Sequence, residues 1–106
     1  MKTKMIGENM KQQKAYNREN NWSDKVVMTR HYIERYHERI LDKYLPQRFN
    51  ESKVKRRVYK DMDNKLMERE KNFIELFSSS GSIIKLPFES NKLIVIQNRR
   101  LITILN

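Results

Sequence analysis

A histidine and two arginines recur at four-residue intervals in the run VVMTRHYIERYHERI. If this run is helical, His31, Arg35 and Arg39 share one face, because residues four apart lie one turn above another. An imidazole can transfer a proton near neutral pH, and a guanidinium group can bind two phosphate oxygens at once. The spacing therefore predicts a phosphate-handling site on one side of this helix.

A threonine near the end of the chain could complete such a site. Thr103 is the only polar side chain within the apolar run LITIL, where its hydroxyl needs a hydrogen-bond partner and could donate to a phosphate. RNA cleavage by the 2′-hydroxyl requires proton transfer and charge stabilisation at phosphorus. We therefore interpret His31, Arg35 and Thr103 as candidate catalytic residues. The alternatives are a His31 that hydrogen-bonds to backbone near a helix start, and a Thr103 that is an ordinary strand residue.

Positive charge dominates the composition, with 23 Lys and Arg residues against 13 Asp and Glu residues and a net charge of +10. A field of this sign favours polyanionic partners such as nucleic acid. The cations concentrate in two helical stretches and in a turn near the C-terminus. The residues that we predict to bind nucleic acid are Arg39, Lys53, Lys55, Arg56, Arg57, Lys60, Arg99 and Arg100. A solvated helix face is the alternative for the cluster between positions 53 and 60.

Other kinds of site find little support in the sequence. There is no cysteine, and the two histidines are six residues apart, so a metal site is not expected. No glycine-rich phosphate loop is present, and no cofactor is expected. No window has the roughly 18 apolar residues of a membrane span, and there is no signal-like N-terminus. We therefore predict a cytoplasmic protein that does not associate with membranes.

The chain divides into a polar start and one predicted domain. Residues 1–22 are rich in Lys, Asn and Gln and predict a disordered basic arm, and residues 23–106 predict a single α+β domain. Two interpretations of the domain's first residues remain open. In one, Ser23 caps a helix and Trp22 packs on Val27. In the other, KVVM is a short strand and Thr29 caps a helix from about 30 to 44.

Helical and strand periods indicate the remaining elements. In the first helix Ile33, Tyr36, Ile40, Leu41 and Tyr44 have core spacing, and Leu45-Pro46 ends the helix. A second helix follows Asn50 and buries Val54, Val58, Met62 and Leu66. The runs NFIELF, SIIKLPF, KLIVIQ and RLITIL predict strands, with a tight turn at Asn98-Arg99 and Pro87 on an edge strand. We therefore predict two N-terminal helices packed on a three- to four-stranded antiparallel sheet.

The segment from Thr29 to Ile40 has the pattern T-x-H-x-x-x-R-x-x-x-R. It resembles the opening helix of small prokaryotic and phage RelE-like domains of uncharacterised function, in the barnase/RelE-type ribonuclease superfamily. The end of the chain, LIVIQNRRLITIL, resembles their closing hairpin. The resemblance implies two helices on an antiparallel sheet and metal-independent RNA cleavage, with His31, Arg35, Arg39 and Thr103 at the matching positions.

Three functions follow as expectations. The first is an RNA-binding, ribonuclease-like protein encoded by a phage or mobile element, whose partner is RNA or an RNA-protein complex. The second is a non-catalytic basic protein that inhibits or assists a host nuclease, polymerase or RNA-protein complex. The third is a DNA-binding regulator, although no helix-turn-helix spacing is present. The sequence leaves the oligomeric state open.

Overall fold

The computed structural model describes residues 21–106, which form an α+β fold of three α-helices and a four-stranded sheet. A 3-10 helix, Trp22–Lys25, comes first. The helices are α1 (Arg30–Tyr36), α2 (Glu51–Lys65) and α3 (Glu68–Phe77). The strands are β1 (Val27–Met28), β2 (Ile84–Phe88), β3 (Lys92–Gln97) and β4 (Arg100–Leu105). The predicted arm lies outside the described residues, apart from Asn21 and Trp22.

The sheet is mixed, with the strand order β1-β4-β3-β2. β4 pairs antiparallel with β3 and parallel with β1, where the Val27 N–H donates to the Arg99 carbonyl at 2.7 Å. The prediction of a purely antiparallel sheet is therefore wrong. Only the C-terminal strands are joined by short turns, which force antiparallel pairing. The two-residue β1 pairs with β4, which is more than 70 residues later in the sequence. No turn connects these two strands, so the sequence does not indicate whether they pair parallel or antiparallel.

Thr29 joins β1 to α1 and confirms the second of the two interpretations of this segment. Its hydroxyl accepts a hydrogen bond from the Tyr32 N–H at 3.1 Å, which caps α1. The same hydroxyl donates to the Leu101 carbonyl at 2.9 Å. One side chain therefore fixes the start of α1 against β4.

α1 ends earlier than predicted and in an unusual way. It continues into one π-helical turn, His37–Leu41, and Asp42 then adopts the left-handed conformation with φ of 52°. The backbone N–H groups of Asp42 and Lys43 both donate to the His37 carbonyl. Tyr44, predicted as a core residue, lies beyond this stop and is 87% exposed. Ile40 and Leu41, also predicted as core residues, lie in the π turn and are only partly buried.

α2 forms as predicted. The Asn50 side chain accepts a hydrogen bond from the Lys53 N–H at 3.0 Å, as an N-cap does. The residues at four-residue spacing, Val54, Val58, Met62 and Leu66, are all buried. Because this apolar side of α2 packs into the core, the charged side of the helix faces the solvent.

The run NFIELF is helical, so the predicted strand there is wrong and the helices are not limited to two at the N-terminus. It forms the end of α3, whose first turn comes from the preceding EREK, where Glu70 accepts a hydrogen bond from the Met67 N–H. Acidic residues favour a helix N-terminus. Only Ile74 of α3 is buried, and Phe73, Leu76 and Phe77 are exposed.

The core lies between the helices and one face of the sheet. Tyr36 of α1 packs near Phe88 of β2, with ring centroids 6.1 Å apart. The strands β2, β3 and β4 confirm the predictions for SIIKLPF, KLIVIQ and RLITIL, with Pro87 on the edge strand β2. Asn98 and Arg99 have φ of 52° and 63° and form the predicted tight turn. None of the helices in residues 21–106 has the length and apolar composition of a membrane span.

Candidate nucleic-acid interface

The predicted catalytic residues of α1 lie on its exposed side. His31 is exposed in the first turn. Arg35 is partly exposed and forms an ion pair with Glu38 at 2.7 Å. An exposed pair of this kind is weak, so the guanidinium stays available to a stronger anion. The regular part of α1 therefore leaves His31 and Arg35 open to solvent.

Arg39 has a structural contact with the sheet. It lies in the π turn, and its guanidinium donates a hydrogen bond of 2.6 Å to the Ile104 carbonyl of β4. Beyond Leu101, β4 has no pairing partner in β1, so its edge carbonyls need other donors. Arg39 supplies one of them and holds the end of α1 against the sheet.

Thr103 lies on a different side of β4 from the core. Its cross-strand neighbour is Val95, whereas the next residue, Ile104, is fully buried opposite Ile94. Successive strand residues point to opposite faces, so Thr103 projects from the face that α1 does not cover. The structure does not bring this hydroxyl onto the exposed side of α1. The catalytic roles of His31, Arg35 and Thr103 remain predictions.

The predicted cations of α2 divide around the helix. Lys53 is exposed, and Lys55 pairs with Glu51 at 3.7 Å. Arg56 lines a cleft of about 420 Å³ beside Trp22. Arg57 lines a different cleft, and Lys60 contributes to both. Arg99 and Arg100 are exposed at the turn between β3 and β4.

The cleft beside Arg57 is lined by three cations and one carboxylate, and we call it the basic cleft. It has a volume of about 280 Å³ and lies between the π turn and α2. Its floor is apolar, and its walls carry an imidazole, an amide and three cations. The lining residues are His37, Leu41, Lys43, Arg57, Val58, Lys60, Asp61 and Asn64.

Asp61 is the one carboxylate among the described residues of the basic cleft, and its charge is already balanced. The Tyr36 hydroxyl donates to it at 2.6 Å, and the Lys65 ammonium group lies at 2.9 Å. Partial burial raises the pKa of the Asp61 carboxyl, but these two partners outweigh burial and hold its pKa below the usual range. Burial and the bond to Asp61 raise the pKa of the Tyr36 hydroxyl, which therefore stays a donor.

We expect Asp61→Asn to destabilise the fold by about 1.5 kcal/mol at neutral pH, the lower end for a hydrogen bond to a charged group. Because the folded-state pKa of Asp61 is lowered, its contribution is full above the unfolded value of about 3.9. The contribution disappears as the pH falls through the folded value. Urea unfolding of both proteins at neutral pH and at a series of falling acidic pH values tests this, because the difference in stability should shrink steadily as the pH falls. A difference that persists at low pH contradicts it.

His37 is held by the backbone of its own helix. Its Nδ1 lies 2.9 Å from the Ile33 carbonyl, which can only accept a hydrogen bond. Nδ1 therefore carries the proton, and in the neutral ring Nε2 is the acceptor. The spacing of the two histidines, six residues apart, gave no reason to place His37 in a site. His37, Lys43, Asp61 and Asn64 are the residues of the basic cleft that sequence reasoning missed.

A larger cleft shares His37 and Lys43 with the basic cleft. It has a volume of about 460 Å³ and lies against the segment that connects α1 to α2, and we call it the loop cleft. Arg30 organises this segment, because its guanidinium donates to the Gln47 carbonyl at 2.9 Å and lies 4.4 Å from the ring centre of Phe49. The lining residues are Arg30, Glu34, His37, Glu38, Asp42, Lys43, Tyr44, Leu45, Pro46, Gln47 and Phe49.

The chain was compared with protein-family models, with curated proteins and with solved structures, and none of the three comparisons found a match. The site therefore has to be interpreted from its own chemistry. Within residues 21–106, no group of three or more His, Cys, Asp or Glu side chains is placed to hold a metal ion. Of the clefts described above, the basic cleft has the largest excess of cations over carboxylates, so its chemistry suits an anion.

Proposed function

We propose that the protein binds RNA in the cytoplasm, and that the basic cleft holds a phosphate of the RNA backbone. The observation that carries the proposal is the convergence of Lys43, Arg57 and Lys60 on one cleft with a hydrogen-bonding amide, Asn64. The one carboxylate there is already bound by Tyr36 and Lys65. Phosphate contacts from Lys and Arg supply most of the affinity of such interfaces. The net charge of +10 favours the same class of partner.

Single-stranded RNA is the form that we propose. The basic cleft is short and is flanked by a second cleft with aromatic and carboxylate groups, whereas duplex readers present a helix or an extended basic surface. Unpaired bases are accessible in RNA loops and ends. The protein then acts as a non-catalytic binder, either free or as an accessory of an RNA-protein complex.

The salt dependence of binding tests this proposal. For a labelled single-stranded RNA, three phosphate-binding cations predict a slope of about −2 in log affinity against log salt. Arg57→Ala should make the slope less steep by about 0.7. Lys85→Ala, which removes an exposed cation of β2 outside both clefts, is the matched control and should leave the slope unchanged. Tighter binding to duplex DNA than to single-stranded RNA, or equal effects of the two variants, would overturn the proposal.

A second candidate is a metal-independent ribonuclease, which the resemblance to RelE-like domains of phages and mobile elements implies. The observation that favours catalysis is the fixed tautomer of His37 beside three cations. In this candidate, Nε2 takes the proton of a 2′-hydroxyl and the 2′ oxygen bonds to phosphorus. The bond from phosphorus to the 5′ oxygen breaks, and the 5′ oxygen takes a proton from solvent. The predicted pair of His31 and Arg35 would use the same chemistry, without Thr103, which lies on a different side of β4.

An RNA cleavage assay separates these possibilities. Loss of turnover in His37→Ala, with binding retained, supports catalysis in the basic cleft. Loss in His31→Ala supports the site that the resemblance implies. An RNA with a 2′-deoxy nucleotide at the cleaved position is the chemical control, because it lacks the attacking oxygen. Absence of turnover by the wild-type protein leaves the binding function and removes the nuclease candidate.

A further inference from the structure

The loop cleft differs in chemistry from the basic cleft that it adjoins. Three carboxylates line it, from Glu34, Glu38 and Asp42, together with the apolar surfaces of Leu45 and Pro46. A carboxylate repels a phosphate but accepts hydrogen bonds from amino groups. The two neighbouring clefts therefore select different parts of one ligand. A phosphate fits the basic cleft, and a neutral group with N–H donors fits the loop cleft.

The loop cleft also offers an aromatic ring that the fold does not use. Tyr44 is 87% exposed, although it is a large amphipathic residue. Phe49, in contrast, is already covered by the Arg30 guanidinium. Nucleobases stack readily on exposed aromatic rings, whatever their sequence. Tyr44 is thus placed to stack a base at the wall of the loop cleft.

Among the carboxylates, Asp42 is the one best placed to read a base. Glu34 pairs with Arg30 at 3.4 Å, and Glu38 pairs with Arg35 at 2.7 Å. Within residues 21–106, none of the ion pairs involves Asp42. Its left-handed backbone holds it at the end of the π turn, next to Lys43, which lines both clefts. An Asp carboxylate accepts from the exocyclic amino group of cytosine, and adenine and guanine carry such groups too.

We propose that the loop cleft is a nucleobase subsite, which takes an amino-bearing base of the RNA whose phosphate occupies the basic cleft. This inference rests on the proposed RNA-binding function and names its ligand more closely. His37 and Lys43 line both clefts, so the nucleotide would cross these two residues between its phosphate and its base. The cleft volume of about 460 Å³ is within the usual range of small-ligand pockets. Uracil lacks the amino group and is the disfavoured base.

Binding of short RNA hexamers tests the subsite. We expect oligo-A and oligo-C to bind more tightly than oligo-U, and all three to bind more tightly than an abasic hexamer. Tyr44→Ala should weaken the binding of oligo-A and oligo-C by about fivefold, the lower end for loss of one stacked base. It should leave the abasic hexamer unchanged, because that ligand contacts only the basic cleft. Tyr44→Phe keeps the ring and should bind like the wild type.

The base preference should depend on Asp42. Asp42→Asn keeps a residue that tolerates the left-handed backbone but adds an amide donor to the acceptor. The preference for oligo-C over oligo-U should therefore shrink, with oligo-U binding weakened least. If the abasic hexamer binds as tightly as oligo-A and Tyr44→Ala changes nothing, the subsite is overturned while the phosphate cleft stands. If no hexamer binds at all, both proposals fail.

Discussion

Reversing the charges of Arg57 and Lys60 together is expected to weaken the binding of single-stranded RNA by about a hundredfold or more. Both side chains are exposed and line the basic cleft. Each reversal replaces an attraction to phosphate by a repulsion. If each reversal costs about 1.4 kcal/mol of binding free energy, each weakens the affinity about tenfold. Fluorescence anisotropy at about 0.1 M salt measures the effect, because screening at that ionic strength still leaves short-range contacts intact.

The matched control is Arg69→Glu with Lys85→Glu. These residues are exposed on α3 and on β2, outside both clefts, and their reversal changes the net charge by the same amount. We expect this control to weaken binding by less than about threefold, through the long-range field alone. Equal losses in the two double variants would mean that total charge, and not the basic cleft, governs binding. Circular dichroism checks that both variants are folded.

The sequence predicted Arg57 and Lys60 correctly as exposed cations but could not supply their partners in the basic cleft. A helical period places both residues on the polar side of α2, because Val54, Val58 and Met62 define the buried side. His37 and Lys43 come from a different element, and only the packing of α1 against α2 brings them near. Tertiary proximity of this kind has no local signal in a single sequence.

The π turn explains why the faces of the first helix were predicted only in part. His31 and Arg35 lie in the regular turns, where residues four apart share a side. From His37 to Leu41 the backbone hydrogen bonds join residues five apart instead of four, as in the bond from the Asp42 N–H to the His37 carbonyl. Each later residue is displaced from its expected face. Arg39 therefore binds the Ile104 carbonyl, and Tyr44 is exposed beyond the helix end.

The helix α3 shows how a short apolar window misleads. NFIELF has the aromatic and β-branched residues of a strand, and it is followed by the loop SSSG. The charged EREK before it supplies the helix start, with Glu68 and Glu70 in the first turn. The strands of the C-terminal hairpins were predicted correctly because turn residues lie directly before and after each strand in the sequence. The sequence-based predictions were correct for the elements that have turn residues at both ends.

Replacing Trp22 by Ala is expected to cost about 3–5 kcal/mol of the free energy of unfolding, as for other buried aromatic residues. Trp22 is only 1% exposed, although the sequence suggested that the arm extends to this position. Its ring packs beside Tyr59, with centroids 5.8 Å apart, and its Nε1–H donates to Asp63 at 2.9 Å. The substitution leaves a large cavity where the 3-10 helix meets α2. Such a loss is a large share of the roughly 5–15 kcal/mol typical of a domain.

Trp22→Phe is the control that separates packing from the hydrogen bond. It keeps an aromatic ring in the core, and Asp63 retains its ion pair with Lys71 at 3.2 Å, so the expected loss is about 1–2 kcal/mol. Trp22 is the only tryptophan, so urea unfolding has to be followed by far-ultraviolet circular dichroism and not by tryptophan fluorescence. A loss below about 1 kcal/mol for Trp22→Ala would mean that the first segment does not belong to the folding core. A large loss would mean instead that any shortened form of the protein must include Trp22 to fold.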